Sequence, residues 1–160
     1  MTNLAQFNTI EPHYPSYVDY NHYGLCLRAA MDICRGTIVA TAAFQKTDAM
    51  YIAGHPSPDY KYVALWDVSK DGKPTWGKVT GKWAYCNHSC DPNCDISDTW
   101  QIITNRDVQK GTELTTSYDA YVHNFAWPST WNFECLCNEP QCKKIINHYR
   151  TDIVYPIKKP

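Results

Sequence analysis

Apolar residues in this chain come in short runs dominated by Val, Ile, Thr, Tyr and Trp, and they seldom recur at the spacing of a helix face. Five such runs, at 23–29, 37–44, 60–67, 100–105 and 113–117, read as strands. Turn chemistry separates them. "HPSPD" at 55–59 and "SKDGKP" at 69–74 read as loops, the second carrying an Asp71-Gly72 pair of the hairpin type. Helical periodicity is weak, with short turns around 47–52 and 80–86 as its best instances. The pattern therefore predicts a mostly β fold whose loops hold the unusual chemistry. An aromatic stretch, "NFAWPSTWNF" (124–133), reads as a connection to a compact C-terminal appendage that begins near Phe133.

Length changes how the cysteines are read. A chain of 160 residues can bury most of an ordinary core without staples, so its eight cysteines are not needed to rescue a small fold. The opening "MTNLAQFNTIEPHY" has neither the basic start nor the apolar run of a secretory leader, and no stretch approaches the ~20 apolar residues that cross a bilayer. The expectation is an intracellular, reducing setting without membrane contact, where closely spaced cysteines more often hold metal than form disulfides. A net charge of -1 with no basic block leaves no electrostatic footprint for nucleic acid. The 16 acidic residues are compatible with a basic partner but do not cluster.

Two stretches concentrate the thiols. In "CLCNEPQC" (135–142), the first two cysteines are one residue apart, a spacing that resists a disulfide but lets thiolates converge on one ion. Three ligands leave a tetrahedral site one short. Cys26, Cys34, Cys86, Cys90 and Cys94 are all available as the fourth, and spacing alone does not choose among them. A disulfide or inert buried thiols are the competing readings for the trio. "CNHSCDPNC" (86–94) supplies three of the five candidates at every fourth position.

Four segments, in order, resemble the SET-domain lysine methyltransferases. "YGLCLRAAMDICRGTIV" (23–39) is similar to the family's opening GxGxxAxxxIxxGxxV motif, with Gly24, Ala29, Ile33, Gly36 and Val39 in register. "NHSCDPN" (87–93) matches the central NHSCxPN motif at every fixed position. "ITNRDVQKGTELTTSY" (103–118) is similar to A-x-R-D-I-x-x-G-E-E-L-T-x-x-Y, and "CLCNEPQC" to the cysteine-rich post-SET tail. The resemblance implies a SET-domain β-clip, with short strands in several small sheets, a C-terminal pseudoknot and few short helices. It divides the chain into an N-terminal flank (1–21), a SET domain (22–122), a connecting segment (123–132), a post-SET zinc-binding tail (133–148) and a C-terminal extension (149–160).

The implied reaction is methyl transfer from S-adenosylmethionine to the ε-amine of a lysine in a protein or peptide. Histone tails are the family's common substrate class, and a nuclear or cytoplasmic location follows. A lysine with a reference pKa near 10.4 must lose its proton at a cost of roughly 4.6 kcal/mol at pH 7, which a narrow aromatic channel reduces by desolvation. The 12 Tyr and 6 Trp suit that task. Tyr118 falls on the family's catalytic tyrosine, and Tyr85 on an aromatic position beside cofactor and lysine. A phenol is a poor base at neutral pH, so an orienting and electrostatic role is expected of Tyr118. The resemblance gives Asn87 and His88 to the cofactor together with Gly24, Leu25 and Cys26, and Trp131 or Phe133 to stacking on the adenine. Thr116 and Tyr121 would line the lysine channel. Cys90 would join Cys135, Cys137 and Cys142 around one structural Zn2+.

Several positions depart from the family pattern. Cys26 replaces the second glycine of GxG, so its side chain must point away from the cofactor; Ala84 stands where an Arg is common. Thr116 is smaller than the ring many relatives carry there, which leaves the number of methyl groups transferred open. These losses keep a second reading in play, a catalytically silent SET-like module that uses zinc structurally and binds a protein partner.

Overall fold

The computed structural model describes residues 13–47, 63–68, 74–118 and 133–146. Among them the chain forms β1 (Ser16–Asn21), β2 (Gly24–Ala29), β3 (Ile38–Thr41), β4 (Ala43–Thr47), β5 (Val63–Val68), β6 (Pro74–Thr80), β7 (Asn87–His88), β8 (Cys94–Ile96), β9 (Gln101–Thr104), β10 (Thr115–Thr116), β11 (Phe133–Glu134) and β12 (Ile145–Ile146). They pair as five small sheets: β1-β2, β3-β9-β8, β4-β6-β5, β10-β7 and β11-β12. No α-helix occurs among the described residues, and a 3-10 turn at Lys82–Tyr85 leads into β7. None of the helical turns there is long and apolar enough to cross a membrane. The mostly β architecture of small sheets is the one the sequence predicts.

β2 has backbone partners along both edges. Its alternation sends Leu27 and Ala29 into the core and Arg28 to the opposite face, where Nε lies 3.0 Å from Asp19 Oδ2. On one edge β2 pairs antiparallel with β1 from Ser16↔Ala29 to Asn21↔Gly24. That hairpin closes through His22 and Tyr23, with the Tyr23 amide donating to Asn21 Oδ1 at 2.8 Å. The other edge receives residues 112–114: the Ala29 amide donates to the Thr112 carbonyl (3.0 Å) and the Leu114 amide to that of Leu27 (2.8 Å). Ile33 and Val108 exchange both backbone bonds at 2.8 Å. The opening motif and the segment ending in Tyr118 are thus hydrogen-bonded neighbours despite some 80 intervening residues. Leu27, Val39, Ile102 and Leu114 are fully enclosed where they meet, each contributing about 1.5–3 kcal/mol by burial.

Three differences from the expected strands have local causes. The run at 37–44 is two strands, because the Ala42 amide leaves the β3-β9 ladder for the Trp100 carbonyl (2.9 Å) and the chain passes into the β4-β6-β5 sheet. β6 was hidden by Pro74 and Gly77, residues that depress strand propensity. Pro74 is tolerated as the first residue of the strand, and at Gly77 a Cβ would come within 2.8 Å of the Phe44 ring. β1 was missed because its apolar residues do not alternate: Tyr17 and Tyr20, three apart and so on opposite faces, are both exposed. The expected turn at 80–86 coincides with the 3-10 turn, while 48–52 of the other lies outside the described residues.

Buried Thr104 ties the core sheet to the loop before it. Its Oγ1 accepts from the Thr37 amide (3.0 Å) and donates to the Cys34 carbonyl (2.8 Å). Thr104→Val keeps the shape and strands the Thr37 amide, while the Cys34 carbonyl still accepts from the Thr37 hydroxyl at 2.7 Å, so urea unfolding should show a loss of about 1 kcal/mol. An unchanged midpoint would mean these bonds contribute nothing net.

Candidate active site and metal centre

The central motif is split between two neighbourhoods by the fold. β7 runs parallel to β10, pairing Asn87 with Thr115 and His88 with Thr116. This ladder sets Tyr118 against the motif. Its hydroxyl donates to the Cys86 carbonyl at 3.0 Å, its amide donates to His88 Nδ1 at 3.0 Å, and the two rings lie 5.4 Å apart. Tyr118 is therefore held at both ends by residues 86–88. Thr116 is buried beneath, with the Cys86 thiol 3.8 Å from its Oγ1 and 3.3 Å from the Leu114 carbonyl. Burial pushes the Cys86 thiol well above its ordinary range, and that of Cys94 to about 12. Both are buried thiols that stay protonated, small hydrophobes rather than ligands.

Asn87 is saturated on one side of its carboxamide. Its Nδ2 donates to the Leu25 carbonyl (3.2 Å) and to Glu113 Oε1 (2.9 Å), which leaves Oδ1 to accept from a ligand. Glu113 is the residue that motif matching passed over. Its other oxygen accepts from Asn21 Nδ2 at 2.8 Å, so one carboxylate sets the orientation of Asn87 relative to the β1-β2 hairpin. Asn93 makes a similar bridge, donating from Nδ2 to the Glu113 carbonyl (2.8 Å) and accepting the Thr115 amide at Oδ1 (3.0 Å). Both stand at fixed motif positions, and that was the available signal.

Gly24 opens β2 at φ 121, a conformation that L side chains rarely adopt, and an added Cβ there would meet nothing within 4 Å among the described residues. Leu25 is half-buried beside it and offers its carbonyl to Asn87. Cys26 is fully enclosed, and burial raises its thiol, with Glu113 adding to the effect. Tyr85 ends the 3-10 turn, half-buried, one residue before the carbonyl that Tyr118 grips. Tyr121 and Trp131 lie outside the described residues. Phe133 pairs its backbone with Ile146 in β11-β12, and its side chain is also outside the description.

On the other side of the motif four sulfurs converge. Those of Cys90, Cys135, Cys137 and Cys142 all lie within 4.8 Å of one another, with Cys90 and Cys135 at 3.7 Å. Thiolates at ~2.3 Å from one ion at the corners of a tetrahedron stand about 3.8 Å apart, so the set fits zinc. Local turns bring the tail cysteines together. The Cys142 amide closes a turn on the Glu139 carbonyl (2.9 Å) with Pro140 at its second position, and Lys144, at φ 66, turns the chain so that its own carbonyl meets the Cys135 amide at 2.7 Å. Backbone N–H groups of Lys143 and Lys144 point at the sulfurs of Cys90 and Cys142, each at 3.4 Å, as thiolates require. Burial raises the thiols of Cys90 and Cys135. At Cys137 burial is outweighed by hydrogen bonds from the Cys90 and Glu139 backbone and from Cys135 and Cys142, which bring it to about 7. A bound cation would displace the remaining thiol protons. The tail is also held by the Tyr23 hydroxyl, which donates to the Leu136 carbonyl (2.9 Å).

The family model described as "SET domain" matches residues 24–119, more than half of the chain. A histone-lysine N-methyltransferase of Mycosarcoma maydis, H3 lysine-36 specific, is 40% identical over 75 residues, 41% of this chain and 7% of its own length. Its namesake in Cryptococcus neoformans is 30% identical over 117 residues, 67% of this chain and 13% of its own length. The chain thus spans only a small part of these relatives. A Plasmodium falciparum crystal structure, described as a candidate histone methyltransferase, aligns at TM-score 0.47 and 19% identity over 66% of this chain and 93% of that one.

The sulfur cluster makes a direct prediction. Purified protein should carry one equivalent of zinc by elemental analysis, and Cys137→Ser should lose it while the body of the domain still melts cooperatively. Full zinc retention in that variant would contradict the four-sulfur site.

Proposed function

The chain belongs to the SET-domain family, and on that premise we propose that it is a protein-lysine N-methyltransferase, with histone tails as its substrate class. The observation that carries the proposal is the double anchoring of Tyr118 by Cys86 and His88, beside an Asn87 whose only open function is an acceptor. S-adenosylmethionine, the family's methyl donor, supplies a sulfonium-bound methyl group when bound. Asn87 Oδ1 is suited to accept from its ammonium, and the open φ-positive Gly24 lets backbone approach it closely. Glu113 keeps Asn87 turned the right way and adds negative charge near a cationic ligand.

The Tyr118 hydroxyl gives its proton to the Cys86 carbonyl, so the lone pairs of its oxygen are what it presents to the reacting groups. An oxygen fixed there stabilises developing positive character without needing to act as base. Thr116, fully buried, is committed to the wall of the site. Tyr85, Tyr121, Trp131 and Phe133 complete the proposed channel and adenine pocket. Cys26 no longer favours the silent-module reading, since its side chain is enclosed by protein. The relatives' printed specificities make histone H3 the first substrate to try, and a nuclear or cytoplasmic location goes with it. The division at residues 22–122 and 133–148 into catalytic body and metal-binding tail belongs to the same proposal.

Labelled S-adenosylmethionine with a panel of histones should give transfer to lysine, reduced on the order of 10²-fold in Tyr118→Phe. Absence of both transfer and cofactor binding would sink the proposal. Glu113→Gln puts an amide NH2 against that of Asn21 or Asn87, so the Kd for S-adenosylmethionine should rise about tenfold, the equivalent of one lost hydrogen bond, with kcat less affected. A Kd equal to wild type would remove Glu113 from the account.

A further inference from the structure

His88 is held at both ends of its ring. Nδ1 lies 3.0 Å from the Tyr118 backbone nitrogen, and Nε2 lies 3.4 Å from Cys90 Sγ. A backbone N–H can only donate, so Nδ1 is the acceptor and carries no proton. The ring proton of the neutral imidazole is then on Nε2, which makes the Cys90 sulfur an acceptor in its turn. A second donor, the Lys143 amide, reaches the same sulfur at 3.4 Å. Two N–H groups directed at one sulfur suit the thiolate that Cys90 would become on ligating a metal.

We infer that His88 is a positioning residue linking the sulfur cluster to Tyr118: its Nε2–H rests on the Cys90 thiolate while its Nδ1 fixes the Tyr118 amide, so that loading the cluster with metal sets where Tyr118 stands. The inference rests on the reading of the four cysteines as ligands of one ion. It gives the metal a role that reaches past folding of the tail. The ring is the bridge because residues 88 and 90 lie on one short loop, so neither of its contacts can shift without the other. Partners of this kind, one shell out from a metal, orient the ligand and influence affinity by 10–100-fold. The hydroxyl end of Tyr118, held by Cys86, is independent of the metal; the amide end is not.

Zinc chloride titrated into the metal-free full chain, with ring-nitrogen and backbone-amide resonances followed by NMR, tests this. One equivalent should bring His88 to a single tautomer protonated at Nε2, and should shift the Tyr118 amide and slow its exchange with solvent. His88→Asn keeps an acceptor near the Nδ1 position and removes the arm to Cys90. It should weaken zinc binding about tenfold and leave the Tyr118 amide indifferent to zinc. His88→Gln, which restores a donor near the Nε2 position, should recover most of that affinity. The wild-type tautomer is read directly, so the test does not depend on either variant folding. One equivalent of zinc bound with the proton on Nδ1, or a Tyr118 amide that responds to zinc identically in His88→Asn, overturns the inference alone. No uptake of zinc by wild type overturns the metal reading together with it.

Discussion

The parallel ladder between Asn87–His88 and Thr115–Thr116 is the contact on which the rest of the site depends. Two residues of parallel pairing are weak on their own. What makes this pairing dependable is its bracketing. The Asn93 side chain joins the Glu113 carbonyl to the Thr115 amide, the Ser89 amide extends the ladder to the Thr116 carbonyl at 3.1 Å, and Leu114 is pinned to Leu27 in β2. The segment 112–118 therefore lies between β2 and β7, and Tyr118 follows directly on β10, whose Thr116 is buried.

From that ladder the two neighbourhoods diverge. Residues 86–88 face Tyr118 and the groups proposed to receive a methyl donor, whereas Cys90 turns toward the tail. Among its described residues the tail has the two-residue pair β11-β12 and buried Cys135 and Ile146, too little apolar burial to stand alone. On the proposed reading the ion supplies what a core would, since zinc binding to such segments is folding energy on the order of 10 kcal/mol. The Ser89 hydroxyl, 3.4 Å from Glu139 Oε1, and the Tyr23 hydroxyl on Leu136 add direct contacts between tail and body. Because His88 touches both Tyr118 and Cys90, the two neighbourhoods share a ring.

Much of this was legible from residue patterns. The β-rich runs gave the fold class, and the family motifs singled out Asn87, His88, Cys90 and Tyr118, which the fold brings near one another. The fourth cysteine was beyond spacing, because Cys90 and the tail trio are separated by more than forty residues that only the fold brings together. Glu113 and Asn93 were hidden for a different reason: each acts by holding another residue, and a motif position does not say which partner it grips. β6 was obscured by Pro74 and Gly77, whose poor propensity is overridden by strand position and by the Phe44 ring. The saturation of Asn87 Nδ2, which reduces the residue to an acceptor, is a matter of hydrogen-bond geometry alone.

The central claim is that one short loop serves a methyl-donor site on one side and a metal cluster on the other. Its most direct test is a titration of the zinc-loaded protein with S-adenosylmethionine followed through backbone amide resonances. The account predicts that Gly24, Leu25, Asn87, His88 and Tyr118 move together with the first equivalent. Saturating cofactor that leaves these amides where they were, or that moves only residues distant from β7, would contradict it.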